Sequence, residues 1–149
     1  GTINKNFSNL FSQLFEGGYG ELRQIGGDSG DSLEEIGIDV VAQPPGKRLS
    51  SITLLSGGER SLSAICLLFA IFEFRPSPFS ILDEVDAALD EPNVLRLNKF
   101  IIDNSKRSQF LLITHNPRTI ESADTLYGVT MEEAGVSRVI SVALKHHGK

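Results

Sequence analysis

The sequence predicts an α/β fold in which a mixed sheet is flanked by helices. Two short apolar segments, residues 79–82 and 110–113, have the composition of buried strands, and helical signals follow both. Candidate antiparallel strands near both ends of the chain add to this layer, so the predicted sheet is mixed. Hydrophobic residues make up 40% of the 149 residues and charged residues 22%, which is the balance of a globular domain with a core.

The first helix is predicted from four apolar residues spaced four, three and four apart: Ile3, Phe7, Leu10 and Leu14. This is the a/d rhythm of a coiled-coil seam, and over so short a stretch a lone amphipathic helix gives the same pattern. Gly17 and Gly18 end the helix. Because the helix begins at the first residues, we expect the chain to be a segment of a longer polypeptide.

Two strands are predicted next, over residues 19–25 and 36–43, with a polar glycine-rich loop over residues 26–35 between them. A long apolar helix then begins near Ser56 and stops at the two prolines of residues 75–78. Its single cysteine, Cys66, has no partner for an internal disulfide and is expected in the core of a protein from a reducing compartment.

The last third of the chain contains a helix, a strand, a short helix and a hairpin. The helix begins near Pro92, with Asp90 or Glu91 at its cap. A short helix follows the strand at 110–113, and residues 126–131 and 136–144 predict a terminal β-hairpin.

The charge and hydropathy of the chain exclude some classes of protein. A net charge of −5 argues against a protein that coats duplex DNA, because phosphate binding is driven by Lys and Arg. The longest apolar run, residues 64–72, is shorter than the roughly 20 residues of a membrane span. The start of the chain shows no signal peptide, so we expect a cytoplasmic protein with no membrane partner.

Two acids, Asp83 and Glu84, follow the predicted strand at 79–82. Ligands of α/β proteins bind at the carboxyl ends of the strands, and a carboxylate there can hold Mg²⁺. The next acid, Glu84, points elsewhere and can orient or deprotonate a water. On these residues alone, a pair of solvated acids remains an equal alternative.

The residues Ser56, Gly57 and Gly58 stand at the start of the long apolar helix. The first turn of a helix leaves N–H groups unpaired, and glycines let a phosphate approach them closely. A bare serine cap is the alternative, although it does not need two glycines behind it. His115 follows the second strand and is a weak signal alone, but it lies at the same type of strand end as Asp83 and Glu84.

These pieces together resemble the ABC-type ATPases. Residues 55–60, LSGGER, resemble the signature motif, and residues 79–84, FSILDE, resemble the Walker B strand with its catalytic glutamate. Residues 88–90, ALD, resemble the D-loop, and His115 occupies the position of the switch histidine. Four motifs in the family's order and spacing make the resemblance specific.

Within this superfamily the chain resembles the C-terminal head segment of bacterial SMC chromosome-organising proteins. The resemblance lies in residues 37–47 (GIDVVAQPPGK), 83–90 (DEVDAALD) and 126–131 (LYGVTM), among others, and covers most of the chain. It implies that residues 1–16 are the end of a coiled-coil arm and that residues 17–149 are the C-terminal lobe of an ABC-type ATPase head.

The chain lacks a phosphate-binding loop of the form GxxxxGK[ST]. Gly46 and Lys47 match the GK at the end of this motif, but Arg48 follows them where Ser or Thr is required. Two prolines, instead of a strand, precede Gly46. In SMC proteins this Walker A loop belongs to the N-terminal head segment. The resemblance therefore implies half of an ATPase head, inactive without its N-terminal lobe.

The resemblance also implies roles for single residues, with ATP and Mg²⁺ as cofactors. Asp83 is expected to complete the metal site, Glu84 to activate water and His115 to steady the γ-phosphate or the water. The residues expected to face the nucleotide of a second head are Ser56, Gly57, Gly58, Glu59 and Asp90.

The expected function is ATP-driven head dimerisation in chromosome condensation and segregation, in a cytoplasmic, nucleoid-associated complex. The expected partners are the N-terminal head lobe, a second SMC head, a kleisin subunit and, through the complex, DNA. Two alternatives remain open. One is the head of another coiled-coil ATPase of DNA repair or recombination. The other is a lobe that acts only as a kleisin-docking module, with Ile140, Val142 and Leu144 of the hairpin as candidate contacts or, more simply, as an inward-facing strand.

Overall fold

The computed structural model describes residues 1–26 and 37–144 of the chain. The loop predicted at 26–35, apart from Gly26, and residue 36 lie outside the described residues. The elements are, in chain order, α1 (Thr2–Leu14), β1 (Tyr19–Ile25), β2 (Gly37–Gln43), β3 (Ser50–Ser51), a 3₁₀ turn (Ile52–Leu54), α2 (Gly57–Phe74), β4 (Phe79–Asp83), α3 (Glu91–Ser105), β5 (Gln109–Ile113), α4 (Pro117–Glu121), β6 (Thr125–Glu133) and β7 (Val136–Ala143). Each predicted helix and strand is present within a residue or two, whereas β3 and the 3₁₀ turn were not predicted.

The core forms where α1 packs against α2 and β1. The face of α1 with the coiled-coil rhythm supplies Phe7, Leu10 and Leu14, all buried. Phe11 is also buried, and its ring stacks on Phe15 with the ring centroids 4.0 Å apart. The apolar face of α1 is therefore covered by the same chain within the described residues.

The helix α2 supplies the other side of this core through its buried residues Leu62, Cys66 and Phe69. Phe69 also packs against Phe100 of α3, with the ring centroids 4.3 Å apart. Burial raises the pKa of the Cys66 thiol to about 12, so the thiol stays protonated at physiological pH. The prediction of a core cysteine is confirmed.

The contact between β1 and α1 is close because of a glycine. A Cβ atom added at Gly20 would lie 2.7 Å from Cγ of Phe11 and 3.0 Å from Cε1 of Phe7. Both rings are fully buried and cannot move aside without disturbing the core. Gly20 is thus required by packing.

The strands form three separate ladders among the described residues. The strands β1, β2 and β3 are antiparallel, β4 and β5 are parallel, and β6 and β7 form an antiparallel hairpin. The prediction of one mixed sheet is therefore wrong for this part of the chain. Strand patterns predicted the strands themselves, but the antiparallel ladders pair only with themselves and do not extend the parallel pair.

One face of the parallel pair is open and apolar. Its residues are about half exposed or more: Phe79 at 61%, Ile81 at 58%, Leu111 at 49% and Ile113 at 50%. The opposite face is covered, with Leu82 and the half-buried Leu112 packed against the core. Parallel strands in proteins are normally buried on both faces, so this pair lacks one covering layer in the described chain.

The terminal hairpin is also exposed on both of its faces. Ile140 is 54% exposed and Val142 is 51% exposed, so they do not form the inward-facing strand that their alternation favours. Leu144, the third residue of that pattern, lies just after β7 and is half-buried. No helix in the described residues has the length and apolarity needed to cross a membrane.

The substitution Gly20→Ala tests the close contact between β1 and α1. Because the new methyl group overlaps two buried rings, we expect it to lower the free energy of unfolding by about 1–3 kcal/mol. Gly128→Ala is the matched control, since a Cβ there has only the Ile140 carbonyl oxygen, at 4.0 Å, within contact range. Chemical denaturation measures both, and equal stabilities of the two variants would contradict the packing argument.

Candidate functional site

The parallel pairing of β4 and β5 brings the ends of both strands to one edge. Asp83, the last residue of β4, is opposite Ile113, the last residue of β5. The N–H of Glu84 donates a hydrogen bond of 2.8 Å to the carbonyl oxygen of Ile113 and continues the ladder past Asp83. The residues after the two strands, Glu84 and Thr114, therefore start from adjacent positions.

The backbone of Glu84 has the left-handed conformation, with φ of 47°. Non-glycine residues adopt this conformation at a cost of about 1–3 kcal/mol, and such strain is concentrated at functional sites. The turn that follows is closed by hydrogen bonds from Ala87 N–H to the carbonyl oxygen of Glu84 and from Leu89 N–H to that of Asp86.

The structure brings the predicted pair Glu84 and His115 together. His115 Nδ1 lies 3.8 Å from Glu84 Oε1, and their side chains are 78% and 60% exposed, respectively. Both groups are open to a ligand approaching this edge. At that distance and exposure their mutual attraction is weak, so other contacts must fix their positions.

A buried carboxylate, Asp86, comes two residues after Glu84 and bonds to Thr114, the residue before His115. It is 3% exposed, and its Oδ2 accepts hydrogen bonds from Thr114 Oγ1 at 2.7 Å and from Thr119 Oγ1 at 2.5 Å. Thr114 Oγ1 also accepts a hydrogen bond of 2.9 Å from the N–H of Asn116. Asp86 has no role predicted from the sequence, because no signal in the sequence distinguishes this buried acid from its exposed neighbours.

The first turn of α2 holds the predicted docking residues in a capping box. Ser56 Oγ accepts a hydrogen bond from the Glu59 N–H at 3.4 Å, and the Ser56 N–H donates to Glu59 Oε2 at 3.0 Å. The S-x-x-E spacing is the sequence signal for this arrangement. The alternative that Ser56 caps the helix is thus confirmed, and a cap leaves its exposed surface available for contacts.

Packing against the described residues does not explain the two glycines after Ser56. A Cβ added at Gly57 would have no neighbour within 4 Å, and one at Gly58 would meet only the carbonyl oxygen of Ala88, at 3.6 Å. Alanine would suit a helix better by about 1 kcal/mol at each position. The absence of side chains at this exposed tip therefore suits a close approach from outside the chain.

Lys47 joins the tip of α2 through an ion pair that the sequence analysis missed. Its Nζ lies 2.8 Å from Glu59 Oε1 and donates a hydrogen bond of 2.9 Å to Oε2. The hydrogen bond from Lys47 and those from Ser56 lower the pKa of the Glu59 carboxyl, while partial burial opposes this shift. Lys47 thus stabilises the capping box, and no Walker A loop forms at this position.

Asp90 forms the cap of α3, one of the two caps predicted. Its Oδ1 accepts a hydrogen bond of 3.3 Å from the N–H of Asn93, and the side chain is exposed. Arg118 of α4 holds Glu91, the next residue, through a contact of 2.8 Å between Nε and Oε1. This contact joins the start of α3 to the helix that follows His115.

Asp83 has the donor chemistry expected for Mg²⁺. Its carboxylate ends β4, is exposed, and stands at the strand edge next to Glu84. No group of three or more His, Cys, Asp or Glu residues in the described residues could hold a metal ion alone. A single carboxylate fits Mg²⁺ only where phosphate oxygens and waters complete the octahedron.

The chain belongs to the RecF/RecN/SMC family. The family model described as the RecF/RecN/SMC N terminal domain matches residues 9–138. The chromosome partition protein Smc of Myxococcus xanthus is 51% identical over 146 residues, or 98% of this chain, and that of Bacillus subtilis is 53% identical over 143 residues, or 96%. The chain spans only 12% of the length of each of these relatives.

Solved structures of SMC head domains have the same mixed α/β fold. A structure from work on ATP-driven dimerization and DNA-stimulated activation of SMC ATPases matches 95% of this chain and 84% of its own, with a TM-score of 0.84 and 39% identity. The Smc head domain of Pyrococcus furiosus, bound to the C-terminal domain of ScpA, matches 95% of this chain and 35% of its own, with a TM-score of 0.81 and 39% identity. At this similarity the chain has the fold of part of an SMC ATPase head.

The substitution Lys47→Met tests the ion pair at the tip of α2. A lowered carboxyl pKa stabilises the fold above the ordinary Glu range, and this stabilisation is lost as the pH falls through the lowered pKa. We expect Lys47→Met to raise the pKa of Glu59 toward its ordinary value, so that a smaller stabilisation is present at neutral pH and less is lost as the pH falls. An NMR titration of the Glu59 carboxyl carbon measures it, with Lys99→Met, an exposed lysine on α3, as the control. An unchanged Glu59 titration would contradict the assignment.

Proposed function

We propose that this chain is the C-terminal lobe of an SMC ATPase head and that residues 1–16 continue into a coiled-coil arm. Together with an N-terminal lobe that carries the Walker A loop, it binds and hydrolyses ATP as heads dimerise. The observation that carries the proposal is the placement of Asp83, Glu84 and His115 at one strand edge without a phosphate-binding loop in the chain.

The assignment to the C-terminal lobe rests on the order of the motifs. The signature, the Walker B strand, the D-loop and the switch histidine all occur in this chain, in that order, and GxxxxGK[ST] does not. The description of the matched family model names an N-terminal domain, so the lobe is assigned from the motifs and not from that description. The relatives of about 50% identity are Smc proteins, which favours SMC over another coiled-coil repair ATPase.

The open apolar face of β4 and β5 is the natural place for the N-terminal lobe. This face is formed by Phe79, Ile81, Leu111 and Ile113, and it leads directly to Asp83 at the strand edge. A partner that covers it buries apolar surface on a parallel pair that lacks one layer. The same partner would bring its bound nucleotide to the exposed acids.

The residues at the strand edge have complementary chemistry for phosphoryl transfer to water. Asp83 would hold Mg²⁺ together with the nucleotide, and the ion would supply charge neutralisation for the γ-phosphate. Glu84 orients the attacking water and takes its proton as the water oxygen bonds to the γ-phosphorus and the bond to the ADP oxygen breaks. His115, 3.8 Å from Glu84, donates a hydrogen bond to the γ-phosphate or the water.

The tip of α2 is proposed to dock on the nucleotide of a second head. Ser56, Gly57 and Gly58 present a helix N-terminus with open space around it, which favours a phosphate. Glu59 stays engaged with Ser56 and Lys47, so its charge is compensated within the chain. Asp90 lies along the same interface. Two heads then enclose two nucleotides, and the γ-phosphate holds the heads together.

The wider role is chromosome condensation and segregation in a cytoplasmic, nucleoid-associated SMC complex that acts on DNA. We propose a kleisin subunit as a further partner, because structures of related heads are bound to ScpA. The exposed apolar residues of β6 and β7, including Ile140 and Val142, are candidates for such a contact. A lobe that only docks kleisin is the second candidate, and a pull-down without the N-terminal lobe tests it.

The decisive experiment mixes this chain with the matching N-terminal lobe and measures ATP turnover against head concentration. The chain alone is expected to show no turnover, because it has no phosphate-binding loop. The assembled head is expected to show a second-order dependence on concentration, because each site needs two heads. Robust turnover by the chain alone would overturn the half-head assignment.

The Glu84→Gln head is the variant control in this assay. Loss of a positioned base lowers the rate by about 10²- to 10⁴-fold, so this head should still bind ATP and accumulate as dimers. Size-exclusion chromatography with ATP measures the dimers. Normal turnover by this variant would remove Glu84 from the proposed role.

The substitution Ser56→Arg separates docking from nucleotide binding. A long charged side chain at the exposed tip should block approach of a second head, so dimers and turnover are lost while ATP binding by the assembled head is retained. Ser105→Arg, at the exposed end of α3, carries the same charge change and should dimerise normally. Loss of nucleotide binding in Ser56→Arg would contradict the docking role.

A further inference from the structure

We infer that Asp86 is a positioning residue that sets the spacing between Glu84 and His115 through Thr114. The inference rests on the proposed function, because it concerns the two side chains assigned to ATP hydrolysis. Asp86 is fully enclosed and cannot itself reach a ligand at the exposed edge, since it is only 3% exposed. Its effect is therefore exerted through the groups it holds.

Asp86 and Glu84 lie in the same tight turn. Glu84 is fixed by its N–H bond to Ile113 and by the bond from Ala87 N–H to its carbonyl oxygen, at 2.8 and 3.1 Å. Asp86 is two residues further, and its carbonyl oxygen accepts from Leu89 N–H at 3.1 Å. A shift of the Asp86 side chain is thus transmitted to the backbone that carries Glu84.

Asp86 also holds the segment that carries His115. Thr114 Oγ1 donates to Asp86 Oδ2 and accepts from the N–H of Asn116, so one hydroxyl joins the residues before and after His115. The His115 side chain itself is 78% exposed and lies 3.8 Å from Glu84 Oε1. The buried network therefore fixes the 3.8 Å spacing that the weak exposed pair cannot hold.

Thr119 offers a matched comparison with Thr114. Both hydroxyls donate to the same Oδ2 atom, but Thr119 lies in α4, and among the described residues it is the Thr114 hydroxyl that also accepts the Asn116 N–H. Replacing either threonine by valine keeps the shape of the side chain and removes one hydrogen bond to Asp86. Only Thr114→Val also releases the Asn116 N–H. A comparison of the two variants therefore distinguishes an effect on the position of His115 from the loss of one hydrogen bond to Asp86.

The experiment compares Thr114→Val, Thr119→Val and the wild type in the assembled head. Both variants are expected to lower Tm. We expect Thr114→Val to reduce kcat by about 10- to 100-fold with KM for ATP within about twofold, since small misplacements of reacting groups have effects of this size. Thr119→Val is expected to keep kcat within about twofold, and Thr114→Ser, which retains the hydroxyl, to restore it. Equal losses of kcat in the two valine variants, or none in Thr114→Val, would overturn the inference.

Amide hydrogen exchange gives a readout that does not depend on turnover. The Asn116 N–H should exchange faster in Thr114→Val and remain protected in Thr119→Val. Turnover by wild-type and Glu84→Gln heads, measured in parallel, tests the proposed function separately from the role of Thr114. Absence of wild-type turnover, or an unaffected Glu84→Gln head, would refute the proposed function. Unchanged Asn116 exchange in Thr114→Val would refute the role of Thr114 whatever the turnover.

Discussion

The parallel pairing of β4 with β5 is the constraint on which the site depends. These strands are separated by α3 in the chain, and only their register, with Asp83 opposite Ile113, places Glu84 beside His115. The pairing also creates the asymmetry of the domain, because one face packs on the core and the other stays apolar and open. The proposed catalytic edge and the open apolar face therefore arise from the same two strands.

The two candidate surfaces of the chain differ in how they are stabilised. Glu84 has a strained backbone conformation in a turn that backbone hydrogen bonds close and that contains the buried carboxylate of Asp86. The tip of α2 is stabilised by its own capping box and by Lys47, and its glycines leave space that none of the described residues fills. We therefore propose that the strand edge acts on the nucleotide of its own head, whereas the tip of α2 contacts the nucleotide of a second head.

The sequence predicted the elements well because each has local signals. The rhythm of Phe7, Leu10 and Leu14 predicted α1, and Asp90 followed by Pro92 predicted the start of α3. It did not predict how the ladders combine, because strand patterns do not name their partners. It also missed Asp86 and Lys47, whose importance comes from contacts with residues far along the chain: Thr114 and Thr119 in one case, Glu59 in the other. The roles of Ser56, Asp83, Glu84 and His115 came from family resemblance and remain proposals.

The core cysteine has a practical consequence for work on this domain. Cys66 is the single cysteine of the chain, is fully enclosed, and keeps its proton at any pH used for labelling. The unmodified chain is therefore expected to react negligibly with thiol-directed reagents, and Cys66 does not need to be replaced before labelling. A fluorophore or cross-linker attached to a cysteine introduced at an exposed residue such as Leu54, which adjoins the α2 tip, would report on that place alone.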